Sequence, residues 1–299
     1  MTSSSTAPVA SAPQKTALVV ASGDDIDELL TSVLATEDWN IQRAVDNQDA
    51  LSLARTKMFD LIITGLKTRG PEDLELLRSI RSARPHLRLI ILADEWTPGD
   101  VIAAMRQGAF SYISAPFEPS ALAKMVRAAM AEPCWDDGIE ILSATPACVR
   151  LAARCDLLTA NRVVQFLHGF GGIPQPDKDR IIAAFQEILI NAMDHGAHFD
   201  PSQHVEISFV RSRRAITCRV KDPGQGFSLE ELRHAATGTS LEELLNEVAV
   251  REEKGLRPGG LGILMAKRLV DEVIYDKKGN DVLLIKYLSL ASDKSPLPY

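Results

Sequence analysis

With 299 residues, 45% of them hydrophobic, the chain is long enough for two domains of ordinary size, each with its own packed core. A net charge of -7 argues against a nucleic-acid polyanion as main partner, because phosphate neutralisation needs clustered Lys and Arg. Cys134, Cys148, Cys155 and Cys218 show neither C-x-x-C spacing nor a companion His pattern, which leaves no zinc site or disulfide framework to propose and fits a reducing cytoplasm.

Residues 1–14 are rich in Ser, Thr, Ala and Pro, without a basic start or a long apolar core, and read as a disordered tail and not a signal peptide. No apolar run is long enough to span a bilayer, so no membrane partner is expected. From residue 15 to 131, short apolar runs (17–21, 41–45, 59–64, 87–93, 111–114) alternate with amphipathic stretches (27–35, 50–57, 74–84, 101–108, 120–131). Such alternation predicts an α/β domain with a doubly wound parallel sheet.

Residues 132–138, with Pro133 and Gly138, break the helical pattern and predict a linker. A second α/β domain is expected over 139–290, followed by a tail, 291–299. Ile139 to Ser143 reads as its first strand, and 146–169, apolar at helical spacing, as an opening helix. A mixed sheet with helices on one face is expected. Arg211, Arg213 and Arg214 fall between predicted strands 205–210 and 215–221 and read as a solvated hairpin turn.

Three segments of this second half carry chemistry, and together they read as an ATP site. In Glu187-Ile-Leu-Ile-Asn-Ala-Met-Asp-His-Gly196, the polar residues Glu187, Asn191 and His195 recur every four positions and share one face of a helix that is otherwise apolar. Asp222-Pro-Gly-Gln-Gly-Phe227 places a carboxylate at a strand end, before a turn that small residues make. Pro258-Gly-Gly-Leu-Gly-Ile263 is a glycine-rich turn running into a helical pattern, 261–270, where free N–H groups and the helix dipole favour phosphate.

The order and chemistry of these segments resemble the Bergerat-fold ATPases, the superfamily of gyrase, the heat-shock 90 chaperones, histidine kinases and bacterial anti-sigma-factor serine kinases. The resemblance implies an α/β-sandwich domain using ATP and Mg²⁺. It implies Glu187 as catalytic base, Asn191 as the Mg²⁺ ligand, Asp222 for the adenine amino group, and Gly260 with Gly262 for phosphate. Asp194, His195, Gly224, Gly226, Gly259 and Leu261 complete the implied nucleotide site.

The first half resembles a response-regulator receiver: Asp24 and Asp25 follow the first strand, Phe59-Asp-Leu-Ile-Ile-Thr-Gly65 is similar to the third, and Gly108 to Phe117 to the fifth with its Pro-Phe ending. The family's phospho-accepting Asp falls where this chain has Gly65, its hydroxyl residue at Ala93 and its Lys at Ala115. The resemblance therefore implies a pseudo-receiver that binds partners or dimerises and does not accept phosphate. Asp24 and Asp25 read as residual surface acids.

Within the superfamily the compact anti-sigma serine kinases are the most similar, the run Leu269-Val-Asp-Glu-Val273 included. Residues 228–255 read as a longer and more helical lid than theirs, with Lys254 and Arg257 as candidate phosphate contacts. The expected function is an ATP- and Mg²⁺-dependent protein-serine kinase, a partner-switching regulator whose partner is an anti-sigma antagonist or sigma-like protein, with homodimerisation left open. Two alternatives stand beside it. One is a nucleotide-gated binding module without phosphotransfer. The other is a histidine-kinase-derived catalytic domain, for which His168, at a helix end beside Gly169, is a poor phospho-acceptor.

Overall fold

Strands β1 (Thr16–Val20), β3 (Leu61–Thr64) and β4 (Arg88–Ala93) are apolar along nearly their whole length and almost entirely buried. Burial on both faces demands a continuous apolar run, and parallel sheets covered on both sides provide that setting. The computed structural model describes residues 15–20, 23–35, 39–66, 70–94, 97–115, 117, 119–131, 137–169, 173–226 and 261–288. Two compact units result, Met1–Glu95 with Ala109–Trp135, and Trp96–Gly108 with Asp136–Tyr299.

In the first unit β2 (Asn40–Ala44) and β5 (Ser111–Ser114) complete a five-stranded parallel sheet of order β2-β1-β3-β4-β5. Helices α1 (Asp24–Ala35), α2 (Asn47–Thr56), α3 (Gly70–Ala83), α4 (Pro98–Arg106) and α5 (Pro119–Ala131) alternate with the strands in the chain, as expected of a doubly wound fold; α4 is the one grouped with the second unit. Caps move the helix starts ahead of the apolar runs. Thr97 and Asp100 form a reciprocal capping box and Pro98 occupies the first turn, so α4 begins about a turn before the apolar stretch from Val101. At the C-terminal ends of β3, β4 and β5 stand Gly65, Ala93 and Ala115; the Gly65 N–H donates to the Val20 carbonyl (2.6 Å) and that of Ala115 to the Ala93 carbonyl (2.9 Å).

The second unit is built on period two. β6 (Ile139–Thr145), β7 (Cys148–Arg154), β8 (His204–Arg211), β9 (Ala215–Lys221), β10 (Glu272–Tyr275) and β11 (Asp281–Tyr287) form a six-stranded sheet of order β10-β11-β9-β8-β7-β6. Every pairing in it is antiparallel, which corrects the expected mixed sheet. Val149, Leu151 and Ala153 of β7, Val205, Ile207 and Phe209 of β8, and Ile216, Cys218 and Val220 of β9 are buried on one face. Helices α6 (Leu157–His168), α7 (Gln175–Asn191) and α8 (Leu261–Leu269) belong to this unit, α6 packing on β7, α7 on β9 and β11, and α8 on α7.

The predicted helix over 146–169 is half wrong. Its first part is β7, joined to β6 by a tight turn in which the Cys148 N–H donates to Thr145 Oγ1 (3.1 Å). Small side chains at 148, 152, 153 and 155 blur the alternation, so the run looked equally apolar at helical spacing. The helix starts only at α6, where the Asp156 carboxylate accepts from the Thr159 N–H (2.7 Å). Asp137 and Gly138, expected in the linker, are built into the unit: the Arg162 guanidinium, 1% exposed, pairs with Asp137 at 2.9 Å.

Candidate functional site

α7 carries Ile181, Ile182, Ala184, Phe185, Ile188 and Leu189 at core spacing, and these side chains are buried. Glu187 and Asn191 stand one turn apart, half-buried. After Asn191 the α-helix widens into a π turn, Ala192–Gly196, in which backbone bonding runs from i to i+5. The four-residue register therefore ends at Asn191. His195, four residues beyond Asn191, is exposed. The chain then reverses through two consecutive left-handed residues, His198 (φ 53°) and Phe199 (φ 50°), a conformation that costs about 1–3 kcal/mol for each non-glycine residue and concentrates at functional sites.

Asp222 follows β9 directly, and its carboxylate accepts from the Gly224 N–H at 2.8 Å. Gly196, at the end of the π turn, lies flat against this carboxylate: a side-chain carbon there would overlap it. At Gly224 such a carbon would stand 2.8 Å from both the Gly196 carbonyl oxygen and Asp222 Oδ1. Burial raises the Asp222 pKa above the ordinary carboxylate range; the Gly224 N–H opposes this, and the nearby Asp276 and Asp281 carboxylates reinforce it.

Together these elements enclose a cavity of about 640 Å³, within the size range of small-molecule sites. Asn191, His195, Asp222, Gly224 and Gly226 all line it. Glu187 and Asp194 do not; Asp194 instead offers its carbonyl to the His198 N–H at 2.9 Å. Glu187 lies under the head of α8: a side-chain carbon on Gly262 would sit 2.7 Å from Glu187 Oε2 and 3.1 Å from Asn191 Nδ2. Leu261 opens α8. Gly259 and Gly260, the lid 228–255, Lys254 and Arg257 lie outside the described residues.

Sequence reasoning missed Gly279 and Asn280 in the turn between β10 and β11. Gly279 lines the cavity with φ 82°, and Asn280 bonds the Asp222 turn. Lys-Gly-Asn announces a turn but carries no sign of what the turn touches. Among the described residues no cluster of three His, Cys, Asp or Glu side chains is placed to hold a metal. A site offering Asn191 and a neighbouring carboxylate fits Mg²⁺ of the kind held mainly by substrate phosphates.

Comparison with known families accounts for both units. Residues 151–286 match the histidine kinase-like ATPase domain, and residues 17–127 the response regulator receiver domain. The chain joins a receiver domain to a histidine kinase-like ATPase domain. The second match implies ATP as the molecule for the cavity. Among curated relatives, the chain is 25% identical over 149 residues (48% of this chain) to the transcriptional regulatory protein GlrR of Escherichia coli strain K12. It is 31% identical over 124 residues (42% of this chain) to the response regulator ArlR of Staphylococcus aureus. The alignments span 34% and 56% of those relatives' lengths. A response regulator from Thermotoga maritima is similar at 24% identity and a TM-score of 0.36, over 40% of this chain and 99% of that one. Among the described residues no helix is long and apolar enough to cross a membrane.

Proposed function

We propose that this protein is an ATP- and Mg²⁺-dependent protein-serine kinase of the anti-sigma, partner-switching type, in which a receiver-like domain signals without being phosphorylated. The observation that carries this reading is the meeting of Glu187 and Asn191 beneath Gly262 at the head of α8, next to a cavity with a carboxylate in its wall. When bound, Mg²⁺-ATP supplies the transferable phosphoryl group. Asp222 would accept a hydrogen bond from the adenine amino group, and Asn191 would hold Mg²⁺ through its amide oxygen. Backbone N–H groups at the start of α8 would face the phosphate charge. Glu187 would orient the serine hydroxyl and take up its proton. The partner is an anti-sigma antagonist or a sigma-like regulator, with neither nucleic acid nor membrane required, and the protein works in the cytoplasm.

One observation favours a nucleotide-gated binding module in its place: Glu187 is covered by Gly262 and does not line the cavity. A histidine-directed activity finds less support, because His168 is half-buried and burial, with Lys178 nearby, lowers its pKa. Incubation with Mg²⁺, labelled ATP and an antagonist protein separates these readings. Glu187→Gln is expected to keep nucleotide affinity and lose phosphotransfer by roughly two to four orders of magnitude. Asn191→Ala is expected to remove the Mg²⁺ dependence of binding. Equal loss of ATP binding in both variants would make Glu187 structural.

A further inference from the structure

We propose that Asn280 is the positioning residue for Asp222, and that through it the turn between β10 and β11 sets the preference for an adenine base. The inference rests on the nucleotide reading of the cavity. In the turn carrying Asp222, which contains Pro223, Gly224, Gln225 and Gly226, the Asp222 carboxylate is bonded to the Gly224 N–H. A further restraint comes from 58 residues away. Asn280 Nδ2 donates to the Asp222 carbonyl and to the Gly224 carbonyl, each at 3.1 Å, and the Asp222 N–H donates back to the Asn280 carbonyl at 2.9 Å. At Gly226, with φ 77°, a side-chain carbon would overlap the Lys278 carbonyl, so no other residue fits.

The clamp is itself rigid. Asp276 Oδ1 accepts from the Gly279 N–H (2.8 Å) and the Asp281 N–H (3.3 Å), while the Asp276 N–H donates to the Asp281 carbonyl (2.9 Å). Gly279 of the same turn forms part of the cavity wall. A primary amide has two N–H groups on one nitrogen, which is what bridging two carbonyls requires; a carboxylate of the same shape has none and would repel both oxygens. Asn280 does not line the cavity and acts by holding the Asp222 carboxylate in register.

The test compares binding of ADP and inosine diphosphate by calorimetry, using the full chain. Inosine replaces the exocyclic amino group by an oxygen and turns N1 from an acceptor into a donor, so it reports on the contacts made along the edge of the base that would face Asp222. The wild type is expected to prefer ADP. In Asn280→Ala the ADP affinity should fall by roughly ten- to a hundredfold while that for inosine diphosphate holds, so the preference collapses. Asn280→Asp, which keeps the side-chain shape, should collapse it too, with melting temperatures recorded for both variants. A folded variant that keeps the wild-type ratio overturns the proposal, as does loss of folding in both, which would assign Asn280 to stability. A wild type that binds neither nucleotide refutes the reading of the cavity, and one that binds both equally refutes the role of Asp222.

Discussion

Asp222 shows how much of the site depends on one ionisable group in a place that disfavours its charge. Its pKa is raised by burial, so the anion that would accept a hydrogen bond from adenine is present only above that raised value. Nucleotide affinity is therefore expected to decline as pH falls through the raised pKa, beginning above the ordinary carboxylate range. Folding follows the opposite sense: with the folded-state pKa above the unfolded one, Asp222 costs stability at high pH and the cost is relieved on acidification. A titration of ADP affinity against pH checks the first statement. Asp222→Asn should flatten the profile and weaken ADP and ATP alike, by about 1.5–3 kcal/mol. Unchanged ADP affinity in that variant would remove Asp222 from the site.

At the scale of elements, the second unit owes its order to joints between strand ends and helices. Arg162 lies on α6, buried, and its pKa is lowered by that burial and raised again chiefly by Asp137, just before β6. Removing one partner of a buried pair leaves a charge that the interior cannot solvate. Asp137→Ala is expected to destabilise the unit by about 3 kcal/mol, whereas Arg162→Met, which removes the charge and keeps the volume, should cost much less. Urea denaturation of the two variants makes the comparison; equal costs would show that Arg162 acts by packing. The π turn is the second such joint. It carries the chain from the Glu187 and Asn191 face to Gly196 against Asp222, and so links the first two sequence segments in space.

Across the whole molecule, the receiver domain and the ATPase domain differ in what their strand ends offer. Gly65, Ala93 and Ala115, at the ends of β3, β4 and β5, carry among them no nucleophile, hydroxyl or cation. Acetyl phosphate is accordingly expected to leave residues 15–131 of the full chain unmodified, and Gly65→Asp alone should restore little phosphorylation, since Ala115 stands where a receiver's Lys would balance the new charge. A stable aspartyl phosphate found there by mass spectrometry would overturn this. The apolar runs of β1, β3 and β4, the Asp222 turn and the four-residue spacing of Glu187 and Asn191 were legible in the sequence, because each is a local pattern set by backbone periodicity or turn chemistry. The strand β7, the π turn after Asn191, the covering of Glu187 by Gly262 and the bond of Asn280 to Asp222 were not. These are decided by which distant residues meet, and a hydrogen bond between positions 58 apart leaves no periodic trace in the chain. Only the packing of β11 beside β9 brings that asparagine to that aspartate.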